Sequence, residues 1–265
     1  MYCKKCGKKI DNDSKFCKFC GQAQNEKQNL SIEGQSAASA DNWEIDNIEK
    51  LKFPVYDYPK KLFDFQTNKE VEFVNYRQLE TNIQKNLRSS ELEKIKDGLS
   101  NVLFWGYYRT GYGVVRIDRF REKVTAQQLM AFHNLVVSNN FSPINIKKIG
   151  LPEFSGFSFV SKIIMFLNPQ KYVILDKKIM QLRDNSNENN PLTNISYREN
   201  DSGIRINKNS QFYYYEWCKL CKKIAKEYLN SEYAVDAERG FFKLVEKNQL
   251  NYGKKIISKF PKITK

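Results

Sequence analysis

The chain has 265 residues, 41% hydrophobic and 14% aromatic, enough for a substantial core in one large domain, or two small ones, beside a minor module. No apolar run approaches the roughly 20 residues that span a bilayer; the greasiest stretches, 102–105 and 163–167, are far shorter, and a soluble cytoplasmic protein is expected. A formal charge of +14 favours a polyanionic partner, nucleic acid first, although a Lys- and Asn-rich composition is also what an AT-rich genome encodes.

The first element is a cysteine quartet, Cys3-x-x-Cys6 and Cys17-x-x-Cys20, each pair followed by a glycine, Gly7 and Gly21. Two thiolates two residues apart grip one metal ion from a tight turn. The glycine lets that turn take positive φ and aim backbone N–H groups at the sulfurs. Two such knuckles complete a closed tetrahedral site, so the spacing predicts one structural Zn2+ held by Cys3, Cys6, Cys17 and Cys20. A disulfide pair or a redox C-x-x-C shares the spacing, but no signal peptide precedes it, so an oxidising compartment is not implied. Iron is not excluded by softness or geometry. The pattern resembles the short zinc ribbons at the N-termini of many bacterial proteins, over residues 1–22. The resemblance implies a module held together by its metal, because so short a segment buries no core of its own. It implies no function, since such ribbons bind nucleic acid, bind proteins or cap a terminus. Lys4, Lys5, Lys8, Lys9, Lys15 and Lys18 surround the site and read at least as well as solvated surface as they do as phosphate contacts.

Residues 23–42 are polar and small, and read as a flexible linker that tethers the ribbon to the rest of the chain. The main domain is assigned to 43–265. It opens with Pro54, Pro59 and alternating aromatics, which predicts extended structure over 53–74. Helical periodicity then dominates and predicts helices at 76–87, 91–104, 114–122, 126–137, 144–149, 157–167, 177–183, 210–230 and 234–248. Ser90 with Glu93, and Thr125 with Gln128, have the spacing of capping boxes. His133, the single histidine, falls in the fourth helix with a structural or solvent-facing role; with no second histidine, most Ser-His, Cys-His and histidine–metal chemistries are removed. Residues 184–210, rich in Asn, Ser and Asp, read as a loop or insertion. Cys218 and Cys221 form a third C-x-x-C, but inside a helical pattern and without the glycine. At i and i+3 the two thiols share a face and read as core. The expected fold class is mainly α.

The chemistry-bearing segment is 151–176, L-P-E-F-S-G-F-S-F-V-S-K-I-I-M-F-L-N-P-Q-K-Y-V-I-L-D. A Pro-containing turn leads into a helix, Asn168-Pro169 ends it, and an apolar run delivers one aspartate. Asp176 would stand at the N-terminus of the next helix, where capping and the dipole favour a carboxylate, so an N-cap explains it without chemistry. The segment also resembles the helix-hairpin-helix DNA glycosylase superfamily, in which an L-P-G-V-G hairpin, a helix and an apolar run end in a catalytic aspartate. The oxoguanine-type branch aligns without gaps, with Leu151-Pro152 on the leading pair of the hairpin and Asp176 on the aspartate. G-Y-Y-R-T-G-Y-G-V-V-R (106–116) and Y-A-V-D-A-E-R-G-F-F (233–242) resemble a bacterial oxoguanine-glycosylase-like group, and the likeness extends over 75–248. It implies a helix-hairpin-helix domain that flips a base from the duplex into a pocket. Asp176 would stabilise the oxocarbenium-like sugar or orient a water toward C1′. Arg109 and Arg116 are candidate phosphate contacts that read equally well as surface. Ser155 and Gly156, at the hairpin, are the other candidate DNA contacts. Trp105, Tyr107, Tyr108 and Trp217 could stack on a base, although each reads more readily as core.

This chain departs from the family pattern. Its hairpin glycines are replaced by Glu153 and Ser155, with Gly156 one place late. In the family those glycines let backbone N–H groups approach a DNA phosphate, and Glu153 would set a negative charge there. Phe157 stands where bifunctional enzymes carry the nucleophilic lysine, which excludes Schiff-base chemistry from that position; Lys162, further along the same helix, is expected to face elsewhere. Lys178 replaces the family's histidine. Three readings stay open. One is a monofunctional, hydrolytic DNA N-glycosylase of DNA repair without a lyase lysine, its ribbon an accessory grip on nucleic acid or protein. The second is a catalytically inactive glycosylase scaffold that binds double-stranded DNA. The third is a zinc-ribbon interaction protein whose helical domain binds another protein.

Overall fold

The structure, a computed structural model, describes residues 52–197 and 203–260. The predicted zinc ligands Cys3, Cys6, Cys17 and Cys20, the linker 23–42 and the expected domain start at 43 lie outside the described residues, as does the end of the basic tail.

Among the described residues the chain is mainly helical, as its periodicity predicts, with one two-stranded sheet. The extended start is confirmed: a strap of residues 52–60 leads into a hairpin of β1 (Lys61–Asp64) and antiparallel β2 (Lys69–Glu72), with Leu62 opposite Val71. The amide of Asn101 holds this hairpin on the helices: Oδ1 accepts from Phe63 N at 2.7 Å and Nδ2 donates to Phe63 O at 3.0 Å. The helices are α1 (Tyr76–Leu87), α2 (Leu92–Tyr107), α3 (Gly113–Lys123), α4 (Ala126–Val137), α5 (Pro143–Ile149), α6 (Phe157–Leu167), α7 (Lys208–Leu229), α8 (Ala234–Glu246) and α9 (Leu250–Ser258). No described helix is long and apolar enough to cross a membrane.

α2 is the central element, packed on α1, α3, α4, α6 and β1. Its stretch from Gly98 to Trp105 is buried on all sides, as a helix surrounded by others must be. α7 and α8 form the second large contact, and α9 closes on α8. A buried ion-pair network ties α8 to α1. Arg239 pairs with Glu80, and Arg77 bridges Glu80 at 2.7 Å and Asp236. The strap crosses α8 where Gly240 leaves room: a Cβ there would fall inside the Phe53 ring.

Three expectations change. The Ser90–Glu93 box does not form; Glu91 is the N-cap of α2, and Ser89 Oγ accepts the Glu91 N–H at 3.1 Å. The Thr125–Gln128 box does form and starts α4. The helix expected at 177–183 is only a 3-10 turn, Ile179–Leu182, after which Arg183 turns extended and its guanidinium binds the carbonyls of Tyr197 and Thr193. α9 was not expected. Gly253 at its centre weakens the helical pattern, but a Cβ there would lie 2.6 Å from Leu182 Cδ2, so close packing requires the glycine. Residues 184–197 and 203–207 form a loop, as their composition predicts, and it packs on the core: Leu192, Ile195, Ile204 and Ile206 are buried and Asn190 donates to Leu182 O at 2.8 Å.

Candidate active site

The apolar run before Asp176 is extended but pairs with no strand. Val173, Ile174 and Leu175 are buried, so their backbone groups need partners other than water. Side chains supply them. Tyr214 Oη donates to Val173 O at 2.8 Å, and Trp217 Nε1 donates to Ile174 O at 3.4 Å. Ser161 Oγ accepts from Leu175 N at 3.0 Å and lies 3.3 Å from Leu175 O. α6 and α7 thus clamp three consecutive residues and fix where the next one, Asp176, emerges.

Asp176 divides its carboxylate between two tasks. Oδ1 accepts the N–H groups of Lys178 at 3.0 Å and Ile179 at 3.1 Å, which is the capping role the sequence predicts. Oδ2 lies 3.8 Å from Lys162 Nζ, and both side chains line a cavity of about 660 Å³. The expectation for Lys162 is therefore corrected. It sits about 140° around α6 from Phe157. Phe157 is buried with its ring 5.1 Å from that of Tyr214, while Lys162 Nζ donates to Ser158 Oγ at 3.0 Å on the cavity side of α6.

Aromatic residues wall the cavity: Tyr56 and Tyr58 from the strap, Trp105 and Tyr107 from α2, Phe159 from α6 and Phe242 from α8. Tyr107 and Phe159 lie 4.4 Å apart between ring centres, tilted by 31°. The strap is pinned in place. Tyr58 Oη donates to Trp105 O at 3.0 Å, Trp105 Nε1 donates to Pro59 O at 3.1 Å, and Tyr76 Oη donates to Tyr58 O at 2.6 Å. Of the four aromatics singled out in the sequence, Trp105 and Tyr107 reach the cavity. Tyr108 donates to Glu70 instead, and Trp217 is core. Cys218 and Cys221 are buried free thiols on α7, and His133 Nδ1 lies 3.1 Å from Ser89 O, in a structural position.

The structure brings Arg109, Arg116, Ser155 and Gly156 to the same cavity. Both arginines already have carboxylate partners. Arg109 Nη2 bonds Asp57 Oδ1 at 2.9 Å, and its Nη1 bonds Glu246 at 3.1 Å. Arg116 Nη1 bonds Glu153 at 2.6 Å. Glu153 occupies the left-handed region, at φ 67°, and its side chain is only 7% exposed. It also draws Arg119 to 3.4 Å. Its negative charge is therefore more than matched by two guanidinium groups. Gly156 is the N-cap of α6 at an ordinary φ of −103°, and the Phe157 N–H that follows donates to Ile204 O at 3.3 Å.

Lys178, Glu238 and Glu246 also line the cavity. Lys178 bonds Glu246 at 2.8 Å, and Lys243 bonds both Asp57 at 2.8 Å and Glu246 at 2.9 Å, which stitches strap, turn and α8 together. Hydrogen bonds from Lys243 and then Arg109 hold Asp57 down at about 2. Burial pushes the Lys162 amine below its ordinary value, against the pull of Asp176 and Glu238. Burial, and next the charge of Asp176, push Glu238 up to about 8, against Arg239 and Lys162. Glu238, Lys162, Tyr56, Tyr58, Phe159 and Phe242 were not singled out as site residues by sequence. For α8 a signal existed, since Glu238, Phe242 and Glu246 recur at i, i+4 and i+8 on one face. Among the described residues no cluster of His, Cys, Asp or Glu could hold a metal ion. Comparison with family models, curated proteins and solved structures finds no match to this chain.

Proposed function

We propose that this protein binds double-stranded DNA and that its helical domain is a monofunctional, hydrolytic base-excision DNA glycosylase, with a zinc ribbon as an accessory contact to nucleic acid or protein. The observation that carries the proposal is the placement of Asp176. One oxygen is spent on capping, and the other is held beside Lys162 in the wall of an aromatic-lined cavity. A cavity of about 660 Å³ is within the range of small-molecule sites, and its aromatic lining suits a planar base extruded from the duplex. Asp176 would then face the oxocarbenium-like charge at C1′, or direct a water to it. Lys162 would hold the aspartate in place rather than attack, because Nζ is tied to Ser158 Oγ and O. Arg109 and Arg116 would meet the DNA backbone together with Ser155 and Gly156, and the +14 charge would strengthen and salt-sensitise that contact.

The test is incubation of the full chain with duplexes carrying oxidised, deaminated or alkylated bases, beside Asp176→Asn. Base release is expected from the wild type and should drop at least about a hundredfold in the variant. Borohydride trapping on an abasic duplex should yield no adduct; a trapped adduct would assign Lys162 a nucleophilic role. DNA binding without release supports the inactive-scaffold alternative, which the arginines' internal partners favour, since phosphates must compete with Asp57, Glu246 and Glu153. Absence of DNA binding at moderate salt would sink both and leave a protein-interaction role.

A further inference from the structure

In the wall of the cavity, Glu238 stands apart from the other acidic residues. Glu153 and Glu246 are bonded to arginines and lysines, and Asp176 caps a turn. Glu238 is 2% exposed and lines the cavity; among the described residues its carboxyl has neither a hydrogen-bond nor an ion-pair partner, and its oxygens are not sealed off from the cavity. Buried polar groups in folded proteins are paired almost without exception, because an unpaired one forfeits its hydration. A carboxyl that opens only onto a cavity finds its partner in whatever fills that cavity.

We propose that Glu238 is the group that recognises and protonates the bound base, donating its proton to a ring nitrogen or carbonyl oxygen on the edge of a planar heterocycle held against the cavity's aromatic lining. This inference rests on the base-excision reading and names the specificity of the same site: a base with a hydrogen-bond acceptor turned toward α8. The surroundings keep the donor form. Tyr56 from the strap, Lys162 from α6, Asp176, Cys218 and Cys221 from α7 and Arg239 from α8 all act on the carboxyl electrostatically. Burial and Asp176 outweigh Arg239 and Lys162, so the proton is retained to about pH 8. Two carboxyl groups of one site are thereby split into an acid, Glu238, and a charge-stabilising carboxylate, Asp176. In the reaction, the glycosidic C–N bond breaks and its electron pair leaves with the base. The Glu238 proton passes to that base. Water adds its oxygen to C1′, and the proton it releases restores the Glu238 acid, so that one water is divided between sugar and base.

Binding of free adenine, guanine, cytosine and uracil to the full chain, by calorimetry at pH 6.5 and 9.0, tests the donor without requiring excision. At least one base should bind the wild type at pH 6.5 and bind about tenfold more weakly at pH 9.0. Glu238→Gln, a neutral donor at both pH values, should bind with no such fall beyond that due to ionisation of the base itself. Glu238→Ala should bind weakly at both. If no base binds the wild type, or if Glu238→Gln shows the full wild-type pH dependence, the proposal is overturned. Its failure and that of the excision reading are separable. PH-dependent base binding without release from any duplex sinks excision and keeps the donor; base release that survives undiminished in Glu238→Gln keeps excision and sinks the acid.

Discussion

At Asp176 a cap and the proposed catalytic role are compatible, because one oxygen accepts the cap bonds while the other lies beside Lys162. The position was legible: an apolar run that ends in one acid predicts an acid placed by the core. Lys162 was not, since its neighbours along the chain do not tell which side of α6 faces the aspartate; packing of Phe157 against Tyr214 turns that helix. Glu238 makes a prediction of its own. In the unfolded chain its carboxyl ionises around its ordinary value of 4.5, whereas in the fold it holds its proton to about 8. Between those values the folded state binds more protons than the unfolded one, so stability falls as pH rises across that window. Glu238→Gln removes this dependence. Its melting temperature should gain on the wild type between about pH 5 and pH 8.5, and a constant difference would show that burial does not hold the proton.

Helices with an unbroken apolar stripe were read correctly, α1 and α6 to the residue, because period and caps are local properties. Elements whose existence depends on distant partners were not. Gly253 is readable as a helix residue only once Leu182 is known to press on it. The turn after Asp176 tightens to 3-10 because Arg183 is drawn to the carbonyls of the loop. The apolar run is the clearest case: it has the composition of a strand, but α6 and α7 side chains replace the neighbouring strands. Ser161→Ala deprives the buried Leu175 N–H of its acceptor, and should cost about 1–3 kcal/mol in urea unfolding. The same substitution should slow base release, as Asp176 loses its anchor. A stability change of only a few tenths of a kcal/mol would mean that Ser161 is dispensable to the clamp.

For the chain as a whole, the proposed zinc and the helical domain should be separable. Full-length protein prepared without chelator should carry about one zinc, and less than about half would rule out the four-cysteine site. Chelation should weaken DNA binding while leaving the main melting transition unchanged, because the proposed ribbon would depend on its metal and the helical core would not. Local chemistry made much of this readable in one dimension. Four thiols at knuckle spacing, a mainly α composition of periodic stripes, a basic charge and an aspartate after an apolar run are all statements about near neighbours. The cavity is not such a statement. Strap, α2, α6, the turn after Asp176 and α8 each contribute one wall, and the wall residues are separated by up to 190 positions along the chain. Which face each helix turns inward, which arginine finds a carboxylate and which carboxyl is left without a partner depend on how these elements pack. Burial and electrostatic pairing act across space, and a sequence orders residues only along the chain.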